Sequence, residues 1–233
     1  MAYPQVRSSS SGSNSSGTSP QYVLPSTISE GDGIVIITTV DGSATFTANP
    51  SGFTSELESD ATAYQQYVFS KVADGTEGGT TVSGTLSAVE STVYAVLVFS
   101  GWSGNLADIV IGTPVIGSGV TVDPGSVTAT WGADDNLFIC AAMGDLWDRI
   151  ATAFPTNYSS NQITQEHQDQ FGGTQAISLA TREYNSASDD PDSYTLTYTS
   201  GAVISAITIV VKPAAGSPAL TSPTDPVELG STG

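Results

Sequence analysis

The chain has 233 residues and a formal net charge of −18, because 23 acidic residues face only five basic ones. This charge argues against nucleic acid and anionic membrane surfaces as partners, since both are bound through clustered Lys and Arg. Hydrophobic residues make up 39% of the chain and charged residues 12%. The composition suits one large all-β domain with a surface of Ser, Thr, Asn and Gly.

Residues 1–19 form a Ser/Gly/Asn-rich tract with few apolar side chains. A tract of this composition has nothing to bury within the chain, so it is predicted to be a flexible N-terminal arm. Tyr3, Pro4 and Val6 are apolar residues near its start. We expect them to contact neighbouring subunits when the arm adds to the edge of another sheet.

Residues 20–213 carry the strand-like patterns and are predicted to form one β-sandwich domain. Three runs are apolar on both faces, at residues 34–37, 93–99 and 202–211, which is typical of central strands covered on both sides. Residues 126–131 and 193–199 alternate between apolar and polar side chains, as in half-buried antiparallel strands. Gly, Asp and Pro pairs separate these runs. The pattern predicts an antiparallel two-sheet sandwich, with a jelly roll as the favoured arrangement.

Four features inside this domain bear on local structure or chemistry. Residues 145–151 alone resemble a helix, of about two turns, with Asp145 as its cap. Cys140 lies in an apolar run and is predicted to be a buried core residue, so no disulfide framework is expected. His167 has polar neighbours and is predicted to lie on a loop or strand edge rather than to act as a catalytic base. Acidic pairs are too numerous to define a catalytic site.

Aromatic residues in or near predicted loops are the candidate binding residues: Trp102, Trp147, Phe154 and Tyr158. Exposed rings can stack on sugar faces or anchor a protein partner. In the alternative interpretation, Trp102 and Trp147 close the ends of the sandwich core. An exposed aromatic patch would distinguish a binding module from a scaffold.

Asp189, Asp190 and Asp192 lie close together in the sequence and are candidate ligands for a structural Ca²⁺ ion. Carboxylate oxygens are the ligands that Ca²⁺ prefers, and Asp134 or Asp135 in another loop can complete the set. The alternative is a solvated turn without metal, because Asp is a common turn former. No other cofactor is indicated.

Residues 214–233 contain Pro218, Pro223 and Pro226 with small polar residues between them. Such a segment cannot form its own core and is predicted to be an extended C-terminal arm. Val227 and Leu229 are its candidate apolar contacts with neighbouring subunits.

A series of short motifs runs along the chain in this order: Gly31-Asp32-Gly33-Ile34-Val35, Pro50-Ser51-Gly52-Phe53-Thr54, Lys71-Val72-Ala73-Asp74-Gly75, Trp131-Gly132-Ala133-Asp134-Asp135, Phe154-Pro155-Thr156-Asn157-Tyr158 and Ser188-Asp189-Asp190-Pro191. From about residue 4 to residue 212, the chain resembles uncharacterised β-sandwich proteins encoded beside the virion structural genes of tailed double-stranded DNA bacteriophages. The resemblance implies a virion surface component and supplies no catalytic residues.

We therefore expect a non-enzymatic capsid decoration, or cement, protein. Its expected partners are its own copies, as a trimer, and the major capsid protein or other virion proteins. Synthesis is expected in the host cytoplasm and the final location at the virion surface. The alternative is a tail-fibre or receptor-binding module that recognises host surface glycans. A polysaccharide depolymerase is the least supported of the three functions.

Overall fold

The computed structural model describes residues 2–145, 150–168, 174–197 and 203–216. Apart from one 3₁₀ turn at Leu106–Asp108, all regular structure in these residues is β-strand, so the all-β prediction is confirmed. In chain order the strands are β1 (Gln5–Gly17), β2 (Gln21–Val23), β3 (Gly33–Asp41), β4 (Phe46–Ala48), β5 (Thr54–Asp60), β6 (Tyr64–Val72), β7 (Thr81–Ser83), β8 (Thr85–Leu86), β9 (Glu90–Ser100), β10 (Ile109–Ile111), β11 (Val115–Ser118), β12 (Thr121–Val122), β13 (Val127–Thr128), β14 (Asp134–Gly144), β15 (Ala151–Ala153), β16 (Ser160–Gln168), β17 (Thr174–Ser186), β18 (Ser188–Asp189), β19 (Tyr194–Leu196) and β20 (Val203–Val211).

Two large antiparallel sheets form the centre of the molecule. The first has the strand order β1-β9-β3-β6-β5, and the second has the order β10-β20-β14-β17-β16, with β11 also paired to β20. The two sheets bury a shared inner cluster of apolar side chains between them, as expected for a sandwich. Representative members are Val35 and Leu97 from the first sheet and Ile139, Leu179 and Ile209 from the second.

Each large sheet is also covered on its outer face. The short pairs β2-β7 and β4-β8 pack over the first sheet and bury a second cluster that includes Tyr22, Phe69 and Leu86. The pair β13-β18 and the three-stranded sheet β12-β19-β15 pack over the second sheet and bury a third cluster that includes Phe138 and Tyr194. This double coverage explains why the central strands β3, β9 and β20 are apolar on both faces.

The residues that follow β20 return to the turn that follows β9. Trp102 forms an isolated antiparallel bridge with Pro213, and the N–H of Ala214 donates to the carbonyl of Gly101 at 2.9 Å. The Trp102 indole packs edge-on against Phe99 with ring centres 5.4 Å apart. These contacts join the end of β20 to the turn that follows β9.

The predicted helix at residues 145–151 is not supported by its described part. Ala151 lies in strand β15, which pairs with β19, while residues 146–149 lie outside the described residues. The small, alternating side chains at 151–153 suit a short strand in the outer layer. The jelly-roll arrangement stays a prediction.

Candidate interaction surfaces

The Ser-rich segment, predicted to be flexible, forms a long edge strand of the first sheet. Strand β1 spans 13 residues and pairs antiparallel with β9 from Gln5 opposite Ser100 to Gly17 opposite Glu90. Ser8 and Ser10 donate their hydroxyls to the carbonyls of Thr27 and Val23, each at 2.6 Å. Residues 5–17 are therefore part of the sandwich, which corrects the prediction of a free arm. Their order comes from backbone pairing with β9 rather than from burial of apolar side chains.

The residues expected to contact neighbouring subunits from this segment face their own chain instead. Val6 packs against the inner cluster, and Tyr3 is half-buried. Arg7 adds an ion pair, with its Nε 2.7 Å from the Asp32 carboxylate. The other two predicted contact residues, Val227 and Leu229, lie outside the described residues.

The aromatic residues do not form an exposed patch. Trp102 is 5% exposed and Tyr158 is 1% exposed, and the Trp102 indole N–H donates to the Gly31 carbonyl at 2.9 Å. Phe154 is half-buried and packs on Tyr194 with ring centres 5.6 Å apart. The prediction of exposed binding rings is wrong for these residues, because outer strands and turns cover them. Trp102 closes the core, as the alternative interpretation expected, and Trp147 lies outside the described residues.

The predicted calcium ligands do not converge. Asp189 is buried, and its carboxylate accepts from Arg182 Nη1 at 2.8 Å and from the Tyr158 hydroxyl at 2.6 Å. Asp190 and Asp192 are exposed on the turn. Among the described residues no group of three or more His, Cys, Asp or Glu side chains is placed to hold a metal ion. The calcium prediction is corrected. Asp189 is the buried carboxylate among the three predicted ligands, and the guanidinium of Arg182 already balances its charge.

A second buried carboxylate has the same kind of partner. Glu77 accepts from Lys71 Nζ at 2.6 Å and from the backbone N–H groups of Asp74 and Gly75 at 2.9 and 3.0 Å. Burial raises the pKa of Glu77, but the hydrogen bonds from Lys71 and Asp74 outweigh it and the pKa lies below its ordinary value. The hydrogen bond to Glu77 raises the pKa of Lys71. This pair holds the turn after β6 in place.

These ion pairs were missed by sequence reasoning, although the composition contained a signal for them. Only five residues are basic, and four of them, Arg7, Lys71, Arg182 and Lys212, form ion pairs with a carboxylate. In such an acidic chain, a basic residue is expected where a carboxylate is buried.

A groove of about 610 Å³ lies beside the bridge between Trp102 and Pro213, lined by Ser103, Asp108, Asp134, Lys212, Pro213, Ala215 and Gly216. The Lys212 ammonium lies 3.4 Å from Asp108 Oδ1 and 5.4 Å from the centre of the Trp131 ring. The groove thus offers hydrogen-bonding groups around one ion pair. His167, in edge strand β16 opposite Gln175, is not among its lining residues.

Cys140 lies in the third cluster, fully buried beside Tyr194, with Sγ 3.0 Å from the phenol oxygen. Burial raises the pKa of its thiol. A buried protonated thiol is a poor nucleophile, in agreement with the prediction of a core residue.

Two edge strands of the large sheets differ in charge. Among the described residues, strand β5 pairs only with β6, and strand β11 pairs only with β20. The β5 edge carries Glu56, Glu58 and Asp60, whereas the β11 edge exposes Val115 and Ile116, at 37% and 46% of their surface. Charged edges resist strand addition, so β11 is the edge better suited to a partner.

Comparisons with models of protein families, with curated protein sequences and with solved structures gave no match for this chain. Within the described residues, no helix has the length and apolar character needed to cross a membrane. Function is therefore inferred from the chain's own residues and geometry.

Proposed function

We propose that this chain is a non-enzymatic structural protein of a bacteriophage virion, acting as a capsid decoration protein on the particle surface. Its partners are other copies of the chain, as a trimer, and the major capsid protein or another virion protein. It reaches the virion surface after synthesis in the host cytoplasm.

The observation that carries this proposal is the pairing of β1 with β9. A segment rich in Ser and Gly is held along a sheet edge by main-chain hydrogen bonds. A decoration protein attaches over broad surfaces without a deep pocket, and strand addition at sheet edges provides such contacts. The exposed β11 edge and the Pro-rich arm at 214–233, with Val227 and Leu229, are the surfaces through which we propose that neighbours attach.

The acidic composition supports the same role. Three acids on β5 protect that edge from unplanned pairing. The net charge of −18 keeps free copies apart in solution. Attachment is then confined to the surfaces that lack charge.

Glycan recognition by a tail-fibre module is the second candidate function. The loop aromatics that motivated it are buried or half-buried where they are described, at Trp102, Phe154 and Tyr158. The groove beside Lys212 offers polar groups to a sugar but no exposed aromatic platform. Decoration is therefore the better supported function.

A binding competition tests the proposal. Labelled full-length chain is mixed with parent particles that lack it, alone or with an excess of unlabelled variant. We expect the double variant V115K/I116K to compete at least tenfold less well than the wild type, at an unchanged melting temperature. The matched control is Val89→Lys, since Val89 is also exposed, at 61%, but lies outside the strands. Absence of any binding of the wild-type chain to the particles would overturn the proposal.

A further inference from the structure

The two halves of the chain have the same strand pairing. Strands β2–β9 give the order β9-β3-β6-β5 with outer pairs β2-β7 and β4-β8. Strands β13–β20 give the order β20-β14-β17-β16 with outer pairs β13-β18 and β15-β19. Every strand of the first set therefore corresponds to one of the second in chain order, from β2 with β13 to β9 with β20. We call residues 21–100 unit 1 and residues 127–211 unit 2.

The irregularities of the pairing recur at the same places. In unit 1 the β5-β6 ladder shifts register between Ser55 and Leu57. In unit 2 the β16-β17 ladder shifts between Ser160 and Ile163. The β4-β8 and β15-β19 ladders also shift register, each directly after its first residue pair. The β8 and β19 members of those first pairs are both leucines, Leu86 and Leu196. A β-bulge is a specific local feature that a sandwich does not require.

The turn after this irregular strand also occurs twice. Residues 47–53 read Thr-Ala-Asn-Pro-Ser-Gly-Phe and residues 152–158 read Thr-Ala-Phe-Pro-Thr-Asn-Tyr. Gly52 has φ of 80° and Asn157 has φ of 70°, and both residue types tolerate this left-handed region. In each turn the aromatic N–H donates to the proline carbonyl, at 2.9 Å for Phe53 and 3.0 Å for Tyr158.

The cations of two of the buried ion pairs, Lys71 and Arg182, occupy corresponding positions. Lys71 follows Ser70, which pairs with Thr54 at the start of β5. Arg182 follows Thr181, which pairs with Ser160 at the start of β16. Each cation binds a buried carboxylate a few residues later, Glu77 at 2.6 Å and Asp189 at 2.8 Å.

Side-chain volume is redistributed between the units in a compensating way. In unit 1 Ile37 lies opposite Ala95, and in unit 2 Ala141 lies opposite Ile207. All four are in the inner cluster. Each unit thus has one Ile and one Ala at this cross-strand pair, on opposite strands.

The strands that face each other across the sandwich have the order expected for two units related by a twofold rotation. Across the sandwich β9 lies against β16 and β17, and β1 lies beside β16. The second sheet therefore runs in the opposite lateral order from the first. An opposite lateral order is the one that a half-turn about an axis parallel to the strands, between β3 and β14, would produce.

The segment before each unit has the same role as well. Strand β1 precedes unit 1 and covers the outer edge of β9. Strands β10 and β11 precede unit 2 and cover the outer edge of β20. Both segments pair antiparallel with the last strand of the unit that follows them.

We infer that the chain is an internal duplication of one eight-stranded unit, packed as an intramolecular pseudo-dimer whose inner faces form a self-recognition surface. The partner that fits the inner face of one unit is a second copy of the same unit. Shared sheet order alone would follow from the sandwich fold. The repeated bulges, the repeated turn and the matched position of the ion-pair cations would not. This inference is independent of the proposed virion role.

Exchange of the compensating pairs in the full-length chain tests this inference. The variant I37A/A95I gives unit 1 the arrangement of unit 2, and A141I/I207A does the reverse. The quadruple variant contains both exchanges and, under the twofold relation, has the wild-type arrangement at these four positions with the two units interchanged. We expect its melting temperature to lie within about 5 °C of the wild type and not below that of either double variant. Single I37A leaves a cavity and is expected to lower the melting temperature by about 5–15 °C.

A control of the same composition replaces Ile37→Ala by Ile36→Ala in the quadruple variant. Ile36 faces the outer cluster rather than the inner one, so this chain over-packs the inner core and leaves a cavity outside it. We expect it to melt at least about 10 °C below the quadruple variant. A quadruple variant that melts below both double variants, or as low as this control, would overturn the duplication.

Discussion

Single residues explain why the Ser/Gly segment can be a strand. Gly12 lies where an added Cβ would come within 2.6 Å of the Tyr94 hydroxyl, and that hydroxyl accepts from the Val23 N–H at 3.0 Å. Asn14 donates to the Gln21 carbonyl at 3.1 Å. The missing side chain of Gly12 leaves room for Tyr94, and Asn14 bonds to the backbone of β2. Neither residue gives β1 an apolar side chain to bury.

We predict that Gly12→Ala destabilises the chain, whereas Gly17→Ala does not. Both glycines lie in β1, but a Cβ at Gly17 has only the Ser15 carbonyl nearby, at 3.7 Å. The methyl at position 12 forces the Tyr94 ring to move, which costs about 1–3 kcal/mol. Thermal unfolding of both variants measures the difference, and equal melting temperatures would show that β1 does not pack closely on Tyr94.

The Lys71–Glu77 pair gives the stability a defined pH dependence. Because the pKa of Glu77 is lowered on folding, its carboxylate stabilises the folded chain above its ordinary pKa of 4.5. This contribution is lost as the pH falls through the lower folded value. Lys71 has a raised pKa, so its contribution is present below 10.5 and is lost as the pH rises through the folded value.

We predict that Glu77→Gln lowers the free energy of unfolding at pH 7 by about 2 kcal/mol, because it leaves Lys71 and two backbone N–H groups poorly paired. Below pH 3 the difference from the wild type should shrink. Urea unfolding at pH 7 and pH 3 measures this, with exposed Glu30→Gln as the control. A difference that stays constant between the two pH values would contradict the role assigned to the carboxylate.

At the scale of elements, the hydrophobic pattern predicted the central strands and missed the edge strand. The apolar runs at 34–37, 93–99 and 202–211 correspond to β3, β9 and β20, because burial on both faces leaves a direct signal in the sequence. Strand β1 leaves no such signal, since its order comes from backbone pairing with β9, a strand far along the chain. The burial of Tyr158 was missed for a related reason, as the elements that cover it are distant in sequence.

We predict that deletion of residues 2–17 lowers the melting temperature by at least about 10 °C, because it exposes the β9 edge and uncovers the inner cluster beside Val6. The shortened chain should also associate at high concentration through that edge. Deletion of residues 217–233 is the comparison, and we expect it to leave the melting temperature nearly unchanged while weakening attachment to particles. Light scattering and thermal unfolding distinguish the two, and equal stability of both truncations would refute the structural role of β1.

At the scale of the whole molecule, the all-β sandwich could be predicted from periodicity and turn residues, but its layers and its internal repeat could not. The short outer strands have too few residues to show a pattern of their own, such as β8 and β18 with two each. The repeat is visible in matched register shifts, a matched turn and matched positions of the ion-pair cations. It is not visible in residue identity, since equivalent residues such as Ile37 and Ala141 differ.

Because both units share the inner cluster, we predict that they unfold together. Cys140 in unit 2 is buried and its thiol pKa is raised by burial, so thiol reagents should label it only after unfolding. Its labelling midpoint in denaturant should coincide with the loss of β-structure measured by circular dichroism. Two separate transitions would show that the units are independent domains.

The location of the chain on its parent particle tests the central claim most directly. A cryo-electron microscopy reconstruction of the virion should contain multiple copies of this four-layered β-structure on the outside of the head, in contact with the major capsid protein through uncharged edges such as β11. Copies found only at the tail would favour the glycan-binding alternative. A particle that contains no density for the chain would contradict the assignment as a virion structural protein.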